Sequence, residues 1–375
     1  MKNTLGIFCL ISLFFCTTFG INANEYNLEN GTFNLNEYHS FEEIVSYLND
    51  IANQHKAFVE LKTLGKSFEG RDLAVVKIGY PAKTQKNAML LDAGFHASEW
   101  NGHASALYFI NTLVTNLTLI PMLHDIDIYV IPVANPDGYE YSRRNATTNN
   151  WRYTRSGPHG TRKCYGADMN RNFDFHWGTD GVTNDPCAEP FDKPGDTYCG
   201  EKPLSEPEAE ALQNFLTKNK ESIKCYVNLH SPPHNYTLGH EVIMYPYGCC
   251  KNNYSIPDDV EDLKRVGKSA ADAIVAVGGP RYKVGSLQDI VKYNASGASM
   301  DYAKSIGIKY SYSIEIGHQF QVPKEEIEQT ATQIVAALLV FAGEVQDIGN
   351  SAVIANLPFY VCFILFNVCS LTNWL

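Results

Sequence analysis

The chain has 375 residues, of which 45% are hydrophobic and 19% are charged. These proportions provide enough apolar side chains for a large core, and they exclude an intrinsically disordered chain. The formal net charge at pH 7 is −11. An acidic chain repels the phosphate backbone, so we expect no nucleic-acid partner.

The N-terminal end has the layout of a secretory signal peptide. Lys2 precedes an apolar run over residues 5–15, and small residues follow that run. This order is typical of a cleaved leader, and a buried N-terminal helix is the alternative. We predict a signal peptide over residues 1–23, a short N-terminal segment over residues 24–37, and a folded domain over residues 38–346.

The first elements of the domain alternate between strand and helix. An apolar run over residues 89–93, which ends at Gly94, predicts a buried strand. Residues 100–114 predict a helix. The β-branched run over residues 126–133 predicts a second strand, and the sequence at 135–138 is a strong turn signal.

A long loop separates these elements from the next helix. Residues 157–200 are rich in Gly, Pro, Asp and Cys, so we expect loops held by disulfides. Ser205 and Glu208 have the spacing of a capping box, which predicts a helix over residues 205–218 with Ser205 as its N-cap.

The last third of the domain continues the alternation. Residues 225–229 and 310–316 predict strands. A closing helix is indicated by apolar residues at helical spacing, which are Ile327, Ala331, Ile334, Leu338 and Phe341. Strands alternating with helices predict an α/β fold whose sheet is covered on both faces. Ligand sites in such sheets lie at the carboxyl ends of the strands.

The cysteines suit a secreted chain. The six that lie between the two ends allow several disulfide pairings, and the sequence alone does not choose among them. The adjacent Cys249 and Cys250 are not expected to bond to each other. Acceptor triplets for N-linked glycans begin at Asn30, Asn116, Asn145, Asn235, Asn253 and Asn294.

The C-terminal end is apolar over residues 353–375 and follows a run of small residues at 349–352. This layout resembles an attachment signal for a lipid anchor. A membrane-spanning helix normally keeps a basic cytoplasmic flank, which this sequence lacks. We therefore predict a GPI-anchor signal over residues 347–375 and a secreted, cell-surface protein. A spanning helix and a docked tail are the alternatives.

Ionisable side chains come at or near the ends of three predicted strands. His96 and Glu99 follow the first, His230 ends another, and Glu315 lies late in the last. A His-x-x-Glu pair with one distant His is a ligand set that catalytic zinc uses, and a solvated His and Glu are the alternative. Glu315 is costly to bury without a role, so it either faces solvent or acts as a general base.

Several short motifs occur together in one order along the chain. They are His96-Ala97-Ser98-Glu99-Trp100, Asn135-Pro136-Asp137-Gly138-Tyr139, Asn170-Arg171-Asn172, His230-Ser231 and Glu315. In this order they resemble the carboxypeptidase A/B family of zinc carboxypeptidases, over residues 38–345. The resemblance implies an α/β fold with a mixed, mainly eight-stranded sheet and helices on both faces. It also implies that the domain removes single residues from the C-termini of peptides and proteins.

The resemblance assigns roles around the scissile bond. It implies one zinc ion, held by His96, Glu99 and His230. Glu315 matches the catalytic glutamate of the family, and Arg152 matches the arginine that polarises the scissile carbonyl. Negative charge grows on that oxygen during the reaction, so a fixed guanidinium suits the role.

Further matches concern the substrate's last residue. Asn170 and Arg171 match the pair that binds the terminal carboxylate, and Tyr293 matches the tyrosine that closes over it. The residue at the specificity position is Met300. Cys164 and Cys187 match the family's disulfide. We expect the protein to be a monomer.

One branch of the family shares two features with this chain. The carboxypeptidase O branch is similar in two ways. This chain has no segment that could hold a folded prodomain, and it has an apolar C-terminal tail. That branch has a basic residue at the specificity position, however, and the B branch has an acidic one. Since Met300 is apolar, we expect release of apolar or aromatic residues. The alternatives are an acidic-residue carboxypeptidase of the O type and a catalytically dead relative that binds peptides.

Overall fold

A computed structural model describes residues 25–28, 31–188, 197–232, 241–250, 256–290 and 294–349. The predicted signal peptide, Tyr293 and the apolar tail from residue 350 onward lie outside the described residues. So do the glycan acceptors Asn30, Asn235 and Asn253.

The strands are β1 (Glu25–Leu28), β2 (Gly31–Asn34), β3 (Val59–Lys66), β4 (Asp72–Ile78), β5 (Asn87–Ala93), β6 (Ile126–Ile131), β7 (Val182–Thr183), β8 (Thr197–Tyr198), β9 (Ile223–His230), β10 (Val242–Tyr245), β11 (Lys283–Ser286) and β12 (Tyr310–Glu315). The α-helices are α1 (Phe41–Gln54), α2 (Trp100–Thr115), α3 (Ile120–Asp125), α4 (Pro136–Ser142), α5 (Pro207–Asn219), α6 (Val260–Ala276), α7 (Leu287–Ile290), α8 (Ser299–Ser305) and α9 (Lys324–Gly349). Short 3-10 turns span Leu117–Leu119 and Met169–Arg171.

Within the described residues, eight strands form one sheet in the order β11-β10-β12-β9-β5-β6-β4-β3. The central strands β12, β9, β5 and β6 run parallel. At one side β10 pairs antiparallel with β12 and parallel with β11, and at the other side β4 pairs antiparallel with both β6 and β3. The predicted mixed sheet is therefore confirmed. The carboxyl ends of β5, β9 and β12 meet at one edge, where Glu315 is the register partner of His230. Ligands bind at this edge in sheets of this kind.

Helices cover both faces of the sheet, as predicted. On one face α2, α6 and α9 bury side chains such as Leu107, Ile274 and Leu338. On the other face α5 buries Leu212 and Leu216 together with residues of α8. Each fully buried aliphatic side chain contributes about 1.5–3 kcal/mol. The two cores therefore hold the central strands as a rigid base for the site.

The closing helix α9 is a core helix. The helix is long and apolar enough to cross a membrane, but 67% of its most apolar 18-residue stretch is buried inside the protein. In the described part of the chain, α2 and the segment 117–125 reach this length only when they are counted together, and the chain bends by 78° between them. The predicted apolar stripe of α9 is buried throughout, at Ile327, Ala331, Ile334, Leu338 and Phe341.

The predicted capping box at the start of α5 is wrong. The helix begins at Pro207, and its N-cap is Glu206 rather than Ser205. Proline lacks an N–H and has a fixed φ, so it favours the first helical position and moves the start of the helix past Ser205. The Ser205 hydroxyl donates to Glu206 Oε1 at 2.9 Å instead. The Glu208 carboxylate turns away and accepts from the Phe68 amide at 3.0 Å.

The turn signal at 135–138 begins a helix instead. The side-chain oxygen of Asn135 accepts from the amide of Gly138 at 3.0 Å, and Pro136 takes the first helical position of α4. Asn and Pro are as typical of a helix start as of a turn, and the tertiary packing decides between them.

Candidate active site

The three candidate metal ligands meet at the carboxyl edge of β5 and β9. His96, Glu99 and His230 are all buried, with exposures of 4%, 2% and 3%. His96 Nδ1 lies 2.7 Å from Glu99 Oε1 and 3.0 Å from His230 Nδ1. His230 Nδ1 lies 2.9 Å from Glu99 Oε2. The ligand atoms thus lie within 4.8 Å of one another.

A glycine brings this group together. Gly94 follows β5 with φ +76°, and a Cβ atom at this position would overlap the ring of His103. Only glycine adopts this conformation without strain. The chain can therefore turn sharply from the end of β5 into the segment that carries His96 and Glu99.

The donor set fits a zinc ion. Two imidazole nitrogens and one carboxylate converge, which is a ligand combination that zinc prefers at catalytic sites. The other ring nitrogen of His96, Nε2, lies 3.1 Å from Asp168 Oδ1, so it holds the proton and leaves the Nδ1 lone pair facing the group. Although burial opposes ionisation, His96 and His230 hold the pKa of Glu99 below its usual range.

Glu315 ends β12 beside the metal-ligand group. Its Oε2 atom is buried and has no hydrogen-bond partner among the described residues. Burial and then the negative charge of Glu99 raise the pKa of Glu315 to about 8, against the opposing charges of His96 and Arg152. A buried carboxyl oxygen without a partner is costly, and beside a candidate metal site this arrangement suits a proton acceptor.

Arg152 reaches the same group from the loop after α4. Its Nε donates to Asp168 Oδ2 at 2.9 Å, and its Nη1 lies 3.7 Å from Glu99 Oε1. Asp168 therefore fixes both Arg152 and His96, a role that the sequence analysis missed. Its position two residues before Asn170 was the available signal. Burial opposes ionisation of Asp168, but the charges of Arg152 and His96 hold its pKa well below the usual range.

Asn170 and Arg171 lie in the 3-10 turn of residues 169–171. The Asn170 side-chain oxygen accepts from the Ser299 amide at 3.0 Å, and its Nδ2 lies 3.1 Å from His230 Nε2. Arg171 is 5% exposed. Its Nη1 donates to the Asn170 carbonyl at 2.9 Å, but its buried Nε has no hydrogen-bond partner in the described part of the chain. An incompletely satisfied, buried guanidinium is suited to an anion.

Met300 lies at the start of α8 and is 4% exposed. It belongs to a small apolar cluster with Val242, Met244, Leu287 and Ala295. The neighbouring Asp301 turns its carboxylate toward the backbone of residues 248–249, where it accepts from the Gly248 amide at 2.8 Å. Of these two neighbouring residues, Met300 packs into the apolar cluster and Asp301 binds the backbone.

Two disulfides are present in the described residues. Cys164 is bonded to Cys187, as the resemblance implies, and the bond closes the loop that contains Asn170 and Arg171. Cys249 is bonded to Cys250, so the prediction that these neighbours do not pair is wrong. Asp301 accepts from the Cys249 amide and Asp180 from the Cys250 amide, which holds both residues in one turn.

Cys199 and Cys225 are free and buried. The sequence alone could not pair the six cysteines, because spacing does not show which ones meet in the fold.

A mixed sheet carries a two-His, one-carboxylate group at its carboxyl edge, beside a glutamate whose buried Oε2 has no partner among the described residues, and this is the arrangement of a metallohydrolase. The model of the zinc carboxypeptidase family, Peptidase_M14, matches residues 44–337. The chain belongs to this family, whose members are peptide-bond hydrolases that act on peptide C-termini.

Known relatives agree with this assignment. Carboxypeptidase A2 of Rattus norvegicus is 36% identical over 335 residues, which cover 86% of this chain and 74% of that protein. Carboxypeptidase O of Bos taurus is 34% identical over 324 residues, which cover 84% and 81% of the two chains. The structure is also similar to bovine thrombin-activatable fibrinolysis inhibitor, solved in complex with tick carboxypeptidase inhibitor. The TM-score is 0.73 at 32% identity, and the match covers 84% of this chain and 99% of that one.

Proposed function

We propose that this chain is an exopeptidase that uses one zinc ion, held by His96, Glu99 and His230, to release apolar or aromatic C-terminal residues. The observation that carries the catalytic part is the placement of Glu315, whose buried Oε2 has no hydrogen-bond partner among the described residues, beside three converging ligand atoms. A bound zinc ion supplies Lewis-acid chemistry there, because it makes water acidic near neutral pH and polarises a carbonyl.

The chain's own residues hold the substrate and move the proton. Glu315 takes a proton from the attacking water and passes it to the leaving amine. Arg152, fixed by Asp168, stabilises the negative charge that grows on the carbonyl oxygen. Arg171 and Asn170 bind the terminal carboxylate, which limits the enzyme to the last peptide bond. A guanidinium binds a carboxylate through two parallel hydrogen bonds, and the buried Nε of Arg171 is available for one of them.

The preference for apolar residues is supported by the cluster around Met300. Its described members are apolar, and an apolar side chain gains about 1.5–3 kcal/mol when it is fully buried. A charged C-terminal side chain would lose its hydration there without gaining a partner of opposite charge. Tyr293, which lies outside the described residues, is proposed to close over the bound carboxylate.

A secreted, GPI-anchored monomer remains part of the proposal. It is supported by the sequence of the two ends, which lie outside the described residues, and by the Cys164–Cys187 disulfide, a bond that is typical of oxidising compartments.

A panel of peptides that differ only in the last residue tests the proposal. We expect hydrolysis of peptides ending in Phe, Tyr, Leu or Met, loss of hydrolysis after chelation, and recovery when zinc is returned. Faster release of Glu than of Phe would favour the acidic-residue alternative. Zinc binding without hydrolysis of any peptide in the panel would favour the catalytically dead alternative.

A further inference from the structure

The proposed zinc ligands His96 and His230 are supported differently on the side away from the metal group. Nε2 of His96 meets a carboxylate directly, at Asp168 Oδ1. Nε2 of His230 meets the side-chain oxygen of Asn228 instead. A metal-binding imidazole needs an acceptor at its second nitrogen, because that acceptor fixes the tautomer and the ring orientation. The support of His230 is therefore an amide, whose own orientation must be fixed.

The sheet places Asn228 under His230. The two residues are separated by one position on β9, so their side chains point to the same face. Asp92 of β5 is the register partner of Asn228. Asp92 and Asn228 are both fully buried, with exposures of 0%. The three side chains therefore form a row at the centre of the sheet, beneath the carboxyl edge.

Asp92 decides which way the amide of Asn228 points. The Nδ2 group of Asn228 donates to Asp92 Oδ1, so the Asn228 oxygen faces His230. Nε2 of His230 must then hold the proton and donate it to that oxygen, which leaves the Nδ1 lone pair facing His96 and Glu99.

Asn170 does not change this assignment. Its Nδ2 also lies near Nε2 of His230, at 3.1 Å, but Nδ2 is a donor and cannot accept the ring proton. The orientation of the Asn170 amide is fixed by the Ser299 amide, which donates to its oxygen. The N–H groups of Asn170 therefore remain for another acceptor, and Asn228 is the acceptor for His230.

We propose that Asn228, oriented by Asp92, is a positioning residue that fixes His230 in the tautomer that binds the metal. This inference rests on the proposed zinc site. A carboxylate thus supports both ligand histidines, directly for His96 and through an amide for His230.

The test measures the zinc affinity of the full chain by competition with a chelator of known affinity. Leucine has nearly the shape of asparagine but no acceptor, so Asn228→Leu is expected to weaken zinc binding by about 10–100-fold. Ser313→Ala is the matched control. Ser313 is buried and is the register partner of Asn228 on β12, so this variant should stay within about threefold of the wild type.

The reversed pair provides a second test that does not depend on the folding of the leucine variant. Asp92→Asn alone removes the group that orients Asn228 and should weaken zinc binding. Asp92→Asn combined with Asn228→Asp reverses the order of the two groups, so His230 meets a carboxylate directly and an amide lies behind it. The double variant should recover zinc affinity to within about threefold of the wild type, which loss of packing alone would not produce.

Two results would overturn the proposal. One is a folded Asn228→Leu protein with the zinc affinity of the wild type. The other is a folded double variant that binds zinc no better than Asp92→Asn. A wild-type protein that binds no zinc would contradict the proposed function instead, so the two failures can be distinguished.

Discussion

Two glutamates with raised pKa values lie in different regions, and comparing them shows what sets a catalytic group apart. Glu315 lies at the carboxyl edge of the central strands, and Glu208 lies in the first turn of α5. Burial is the main cause that raises the pKa of each to about 8, and each has one buried oxygen without a partner in the described part of the chain.

Their neighbours differ. The charges that act on Glu315 are those of Glu99, His96 and Arg152. Glu208 has carboxylates of Glu206 and Asp137 as its charged neighbours, and it accepts a hydrogen bond from the Phe68 amide. A raised pKa alone therefore does not identify a catalytic residue in this molecule. A catalytic residue is identified by the neighbouring groups that could share its proton or its charge.

The largest expected effect separates the two glutamates by activity. Glu315→Gln removes the proposed base but keeps the shape of the side chain, so we expect kcat to fall by about 10²–10⁴-fold. Glu208→Gln is the matched control, and its kcat should equal that of the wild type. Both are measured by release of a C-terminal Phe. Equal losses in the two variants would mean that position at the strand edge carries no special role.

The proposed carboxylate site gives the next effect. Arg171→Lys keeps the charge but loses the planar pair of donors, so we expect KM to rise and kcat/KM to fall by about 10–100-fold. The exposed Arg162, which pairs with Asp185, provides the control variant Arg162→Lys. The assignment of Arg171 is refuted if the two variants have the same kcat/KM.

The apolar cluster predicts a change of preference rather than a loss. Met300→Asp places a carboxylate in the proposed pocket, so the ratio of kcat/KM for Lys-ended over Phe-ended peptides should rise by about tenfold or more. Met122→Leu is the control, because Met122 is a buried methionine of α3, outside the cluster. An unchanged ratio in the Met300 variant would show that another residue sets the specificity.

The smallest effect concerns stability at the start of α5. The folded protein raises the pKa of Glu208 from an ordinary value of 4.5 to about 8, so the folded state binds this proton more tightly than the unfolded state. The resulting penalty is absent below pH 4.5 and grows as pH rises through about 8. Glu208→Gln should therefore raise Tm by a few degrees at pH 9 and by little at pH 4.

Glu210→Gln, on the exposed face of the same helix, is the control for this stability measurement. A gain in Tm that is equal at both pH values, or that also appears in the Glu210 variant, would contradict a penalty specific to Glu208.

The sequence predicted the main elements because their signals are local. The apolar runs that became β5, β9 and β12 were recognised, and so was the stripe of α9. The family resemblance supplied the mixed sheet, which the structure confirms. The start of α5 was predicted wrongly, because Pro207 and the contact between Glu208 and Phe68 overrode the capping pattern.

Parts of the site could not be predicted from local patterns. Asp168 and Asn228 each lie two residues before a predicted site residue, but their contacts with His96 and His230 depend on how distant segments meet. The Cys249–Cys250 bond depends on the turn that Asp180 and Asp301 hold. The spacing places Asp168 and Asn228 close to predicted site residues, but it shows neither their contacts nor the Cys249–Cys250 bond.

The zinc content of three purified proteins tests the central claim most directly. The account predicts one zinc per chain in the wild type and in Glu315→Gln, because the proposed base is not a ligand. It predicts almost none in His96→Ala after dialysis, because three ligands would be reduced to two. A full equivalent of zinc in His96→Ala, or loss of zinc from Glu315→Gln, would contradict it.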